Sequence, residues 1–230
     1  MGDTGKGAVA EFLGTFALIF IGAGSIVTAV HGGGDGLVAI ALAHGLVLFI
    51  MISIFGHISG GLFNPAVAVA LWVTGKLTST KTVVFITSQV LGGIAGAYLL
   101  KFLIPADMFT AAGGGAPAVM DGLALGKAVL IEAVATFFLV LAVFGTAIDD
   151  RGPWSKTAGL TIGLTVAFDI LAFGPFTGAA MNPARWLGPA LANGDLTNWY
   201  VWIAGPLSGG VIAAVLYWGV FLRGREPATP

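Results

Sequence analysis

An all-α membrane protein, with six transmembrane helices and two re-entrant half-helices in an inverted repeat, is the fold class this sequence predicts. Three observations predict it. First, 57% of the 230 residues are hydrophobic and only 9% are charged, against about 25% charged in a soluble domain, so a water-facing surface could not be covered. Second, six apolar segments reach the roughly 20 residues that a helix needs to cross hydrocarbon. Third, Asn-Pro-Ala occurs twice, 118 residues apart, each time inside an apolar stretch too short to cross.

The elements follow in order. Residues 8–30 form the first crossing; they are too long for the apolar core of a cleavable signal, so the segment is expected to stay as an anchor. Lys6 stands where a myristoylation motif needs Ser or Thr. Residues 37–55 are the second crossing. From 36 to 75 there is no Asp, Glu, Lys or Arg, and Gly56, Gly60, Gly61 and Pro65 interrupt the run. Asn is a favoured N-cap and Pro a favoured first helical residue, so Asn64-Pro65 reads as a helix start. From there to Thr74 is about 16 Å at 1.5 Å per residue, half a bilayer. Such a helix starts at the midplane, behind a non-helical approach that is packed in protein or lines a wet cavity. Residues 82–100, 128–148 and 157–173 are three further crossings. Gly174, Pro175, Gly178 and Pro183 repeat the interruption, Asn182-Pro183 starts the second half-helix, and 199–222 is the last crossing.

The two interruptions belong to a repeat. Residues 59–66 align with 177–184 at an offset of 118, Glu11 and Thr15 with Glu132 and Thr136 at 121, and Gly92-Gly93 with Gly209-Gly210 at 117. One domain, 1–230, is therefore expected, with a first half 1–115 and a second half 116–230. Three crossings per half is an odd number, so the second copy is inverted and the half-helices meet N-terminus to N-terminus. Inverted repeats of this kind carry their site at the midplane. Lys6, Lys76, Lys81, Arg151, Lys156, Arg223 and Arg225 fall on one side, and Lys101 and Lys127 on the other. By the positive-inside rule both termini are cytoplasmic.

Composition also excludes functions. A net charge of −1 without a basic stripe argues against nucleic acid. With no cysteine, and with His31, His44 and His57 away from carboxylates, no disulfide, metal or cofactor site is expected. No nucleophile–base pair or phosphate loop suggests an enzyme.

Two Asn-Pro-Ala boxes, the second followed by Arg185, in six crossings with Glu11 and Glu132, closely resemble the aquaporin (major intrinsic protein) family over nearly the whole chain. The resemblance implies a passive channel for water and small neutral solutes, a homotetramer with one pore per subunit. Its pore midplane would hold Asn64, Pro65, Ala66, Asn182, Pro183 and Ala184. Each half-helix N-terminus carries roughly +0.5 of an elementary charge, and the two together oppose cations. The asparagine amides would donate to a passing oxygen and break a proton wire, as in aquaporin-type pores generally. By cap preference alone the asparagines could serve only as caps.

Arg185 is the only basic residue from 157 to 222. An unpaired charge in lipid costs somewhere between about 2.5 and 17 kcal/mol. It reads as a filter arginine facing the lumen, the alternative being a helix-end residue that snorkels. Intramembrane Glu11 and Glu132 could suggest a proton relay; the resemblance implies instead that they brace the pore loops. His57, just before the first loop, is expected to stabilise it. Asp169 and Trp186 have no assigned role.

By family position the selectivity filter is His44, Ile170, Ala179 and Arg185. It is similar to the plant tonoplast subgroup, which implies water together with urea, ammonia or hydrogen peroxide, and glycerol at the limit. His44 and Arg185 would supply donors, while Ile170 and Ala179 leave an apolar, roomier wall. A strict water channel and a glycerol facilitator remain as alternatives; Leu62 and Trp202-Ile203 match neither pattern fully. A coupled secondary transporter also uses broken helices, but needs a titrating or ion-binding midplane. Short termini without targeting signals suggest the cell (inner) membrane.

Overall fold

The computed structural model describes residues 2–32, 36–151 and 155–224. In chain order its helices are α1 (Asp3–Val30), α2 (Gly36–Ser59), α3 (Pro65–Val73), α4 (Ser79–Leu103), α5 (Ala106–Ala111), α6 (Leu125–Val143), α7 (Ala158–Thr177), α8 (Pro183–Asn193) and α9 (Val201–Tyr217). π turns extend α6 to Ile148 and α9 to Leu222. Six of these helices are long and apolar enough to cross a membrane, and α3 and α8 are the half-helices. No strand occurs among the described residues. The outward faces carry Val83, Phe102, Leu130 and Val220, exposed aliphatic and aromatic side chains that suit contact with lipid.

Within each half the first crossing packs on the next two, α1 on α2 and α4, and α6 on α7 and α9. The half-helices are exchanged: α3 packs on α9 and α8 on α4. Close approach depends on the matched glycines. A Cβ on Gly92 of α4 would stand 2.3 Å from Phe12 O of α1, and one on Gly209 of α9 1.9 Å from Ala133 O of α6. These small residues let helices of one subunit approach closely.

Several boundaries differ from expectation. The first helix begins at Asp3, taking in the polar N-terminal turn. Gly56 does not break α2, since a single helical glycine costs only about 1 kcal/mol; the chain turns at Gly60 and Gly61, with φ +96 and +65. Likewise α7 continues through Gly174 and Pro175, and ends where left-handed Gly178 donates its N–H to Gly174 O. The α5 turn was not anticipated, because six residues carry no periodic signal.

His57, Lys76 and Lys156 line one recess at the end of the molecule that the charge count made cytoplasmic. Arg151 reaches Phe221 O at 3.3 Å beside it. Arg225 lies outside the described residues. Asp149, following the α6 π turn, forms an ion pair with Arg151 and accepts from Tyr217 Oη at 3.0 Å. The Arg151 guanidinium holds the Asp149 carboxyl down at about 2, where about 3.9 is ordinary. A depressed carboxylate stabilises the fold fully above about pH 4 and loses that contribution as pH falls through about 2. Arg151 is partly exposed, so solvent screening keeps the contribution modest. Thermal unfolding in detergent is expected to show an acid-sensitive component between about pH 4 and pH 2 that Asp149→Asn lacks. Equal sensitivity in that variant would assign the component elsewhere.

Candidate functional site

The two half-helices share one capping device. Asn64 Oδ1 accepts from Ala66 N at 2.8 Å, and Asn182 Oδ1 from Ala184 N at 3.0 Å and Arg185 N at 3.2 Å. Each amide nitrogen then crosses to the other loop: Asn64 Nδ2 donates to Met181 O and Asn182 Nδ2 to Phe63 O, both at 2.9 Å. Each asparagine thus caps its own helix and ties down the opposite approach. An amide has two N–H donors, so each keeps one beyond this tie. Pro65, Ala66, Pro183 and Ala184 are buried behind the asparagines as the first helical turns.

Behind the loops stand the two glutamates, fully buried. Glu11 Oε1 accepts from Ser59 Oγ at 2.6 Å and Leu62 N at 3.0 Å, and Oε2 from Phe63 N and Gln89 Nε2, both at 2.7 Å. Glu132 Oε1 accepts from Thr177 Oγ1 at 2.7 Å and Ala180 N at 3.0 Å, and Oε2 from Met181 N at 2.8 Å. Thr15 and Thr136, one turn on, bond back to the glutamates' own carbonyls. The arrangement gathers backbone N–H groups of both loops. It holds Phe63, Ala179 and Met181 at φ 47, 43 and 53, left-handed backbone that side chains avoid and that persists only where the surroundings impose it.

A narrow cavity runs between the halves. Its lining brings together His44, Asn64, Ile170, Ala179, Asn182 and Arg185, and is otherwise largely aliphatic. It shares Ile52, Gly60, Leu62, Val143 and Ala147 with the recess beside His57, so the two adjoin. Arg185 is buried and donates Nε–H to His44 Nε2 at 3.0 Å and Nη1–H to Gly115 O at 3.1 Å.

This geometry corrects the role expected of His44. Its Nδ1 lies 2.9 Å from Ile40 O, which only accepts, so the proton sits there and Nε2 is the acceptor for Arg185. Both ring nitrogens are occupied, and His44 offers no donor to a permeant. Of the five guanidinium N–H groups, three stay free of these two bonds, and Arg185 lines the cavity beside His44.

His57 is corrected as well. It is exposed toward the recess with Lys76 and Lys156, and makes no hydrogen bond among the described residues. Ser59 holds the first loop instead, linking Glu11 to Gly61 N at 3.1 Å. Trp186 gains a reason: it stacks on Trp202 at 5.3 Å, and Trp202 Nε1 donates to Thr177 O at 3.0 Å behind the second loop. Asp169 is fully buried with both oxygens unbonded among the described residues; nothing in the structure explains it.

Sequence reasoning missed Ser59, Thr177, Gln89 and Gly115. The first two were legible as matched hydroxyls at the 118-residue offset, and Gln89 as a polar group inside a crossing. Gly115 acts through its carbonyl, which no side-chain pattern announces.

The model for the major intrinsic protein family matches residues 3–217. Aquaporin TIP4-4 of Zea mays is 41% identical, over 96% of this chain and 90% of that protein. Aquaporin TIP2-1 of Arabidopsis thaliana is 40% identical, over 95% and 88%. The X-ray structure of the aquaglyceroporin from Plasmodium falciparum superposes with a TM-score of 0.84 at 26% identity, over 95% of this chain and 97% of that one. These similarities join the paired Asn-Pro-Ala helices and the membrane-spanning bundle in one conclusion: the chain belongs to the major intrinsic protein family, the aquaporins, membrane channels and not enzymes.

Proposed function

We propose that this chain is a passive pore for water and small neutral solutes (urea, ammonia and hydrogen peroxide, with glycerol as the upper limit) that excludes protons and ions. The observation that carries the reading is one mostly aliphatic cavity on which Asn64, Asn182 and Arg185 converge. Two half-helix N-termini aimed at the same place oppose cations, and amide donors at the midplane interrupt a water wire. Ile170 and Ala179 beside His44 and Arg185 support passage of solutes larger than water. On the same reading, residues 1–115 and 116–230 are inverted halves of a single channel domain, and Glu11 and Glu132 brace its loops. Both termini are cytoplasmic and the pore assembles as a homotetramer. The relatives, plant TIP-type aquaporins, lend no support to a cell-membrane location over another membrane.

The test is stopped-flow light scattering on proteoliposomes. Fast shrinkage in sucrose followed by clear re-swelling in urea is the expected result. Fast shrinkage without re-swelling would establish a strict water pore. Shrinkage no faster than that of empty liposomes would remove the channel reading of this chain.

A further inference from the structure

Gly22 lies on α1 behind the wall that carries His44. A Cβ built there would stand 2.4 Å from His44 Nε2, 2.7 Å from Cδ2 and 2.9 Å from Cε1. All three distances are far inside van der Waals contact, so the imidazole occupies the space any other residue would fill with its side chain. The next residue seats the second anchor of Arg185. Gly115, at φ +70, lies so close to α1 that a Cβ would stand 2.6 Å from Ala23 O. The two acceptors of Arg185, His44 Nε2 and Gly115 O, therefore rest on successive residues of one helix.

We propose that Gly22 is a specificity-determining residue of the filter. By letting the His44 ring lie back against α1, it draws Arg185 to the side of the lumen and sets the width left for the permeant. The inference rests on the filter reading under Proposed function and adds a residue that does not line the cavity. Backbone geometry does not ask for glycine here, since α1 is an uninterrupted helix through this point, and glycine weakens a helix relative to alanine. The three atoms an added Cβ meets first all belong to the ring. A methyl group at position 22 must move the imidazole about 1 Å toward the lumen to restore ordinary contact. Arg185 then follows it inward or loses its acceptor. Either change alters the opening without altering any residue that faces the permeant.

The experiment compares wild type, Gly22→Ala, His44→Ala and the double variant G22A/H44A in proteoliposomes, with water, hydrogen peroxide, urea and glycerol as probes. Gly22→Ala is expected to lower flux of the largest solute the wild type passes about tenfold relative to water. In the H44A background the ring is gone, so adding G22A is expected to leave the ratio of solute to water flux unchanged. An unchanged ratio in G22A, or a ratio that G22A still shifts when His44 is absent, overturns the proposal. The second comparison holds even where G22A alone does not fold. If H44A itself leaves every ratio at the wild-type value, the filter reading falls and the Gly22 inference with it. A wild type that passes water alone overturns only the solute range; the G22A effect is then expected on water flux, and its absence there also overturns the proposal.

Discussion

Glu11→Ala is expected to abolish water flux and to leave little folded protein after mild heating in detergent. The carboxylate accepts four hydrogen bonds, from Ser59, Leu62, Phe63 and Gln89. Ser59 and Gln89 can turn toward other partners, but the two backbone N–H groups cannot. A buried donor left unpaired costs about 1–3 kcal/mol, so these two alone cost about 2–6 kcal/mol against a typical total of about 5–15. The loss falls on a loop already held at φ 47 by its surroundings. Relaxation of Phe63 would then carry its carbonyl away from Asn182. Glu11→Gln keeps one acceptor oxygen but turns an amide toward donors, and is expected between wild type and Ala. Size-exclusion profiles after heating, read beside stopped-flow rates, check the order; an E11A protein as heat-resistant as wild type would remove the bracing role.

The second large effect concerns the crossed asparagines. Replacing either one by Ala removes a cap, worth about 1 kcal/mol, and one of the two ties between the loops. The remaining tie, Met181 O to Asn64 or Phe63 O to Asn182, still holds the pair together. Removing both releases the loops. The double variant N64A/N182A is therefore expected to be destabilised by more than the sum of the singles, with a coupling of about 0.5–3 kcal/mol as for groups in one network. Unfolding midpoints of the four proteins in detergent measure it. Simple additivity would mean that each asparagine serves only its own helix.

Much of this was legible in the sequence, for identifiable reasons. Crossings announce themselves through length and hydropathy, and the half-helices through Asn-Pro starts followed by too few apolar residues. The inversion followed from parity. What was not legible depends on contact rather than pattern. Gly56 and Pro175 look like breaks in the sequence, yet packed helices absorb both. His44 was placed at the filter by its spacing, but the direction of its hydrogen bond is fixed by Ile40 O and Arg185, which only the fold brings to it. His57 was given a role by proximity along the chain, and the helix turns it away from the loop. The carbonyl of Gly115 and the space above Gly22 leave no trace in a list of side chains.

The exchange of half-helices between the two halves has a consequence for how the molecule is made. α3 emerges early in synthesis, but the surface it packs on, α9, is the last helix to be translated. Until then a short, capped helix and its strained approach must wait without their partner, more than a hundred residues of chain intervening. Such distant pairing delays completion of the native state and prolongs exposure to misassembly. The packing behind both pore loops is therefore completed only when the final crossing arrives. A nascent chain that stops short of α9 would hold every residue that lines the cavity but lack the surface that backs α3 and the Trp202 bond that backs the second loop.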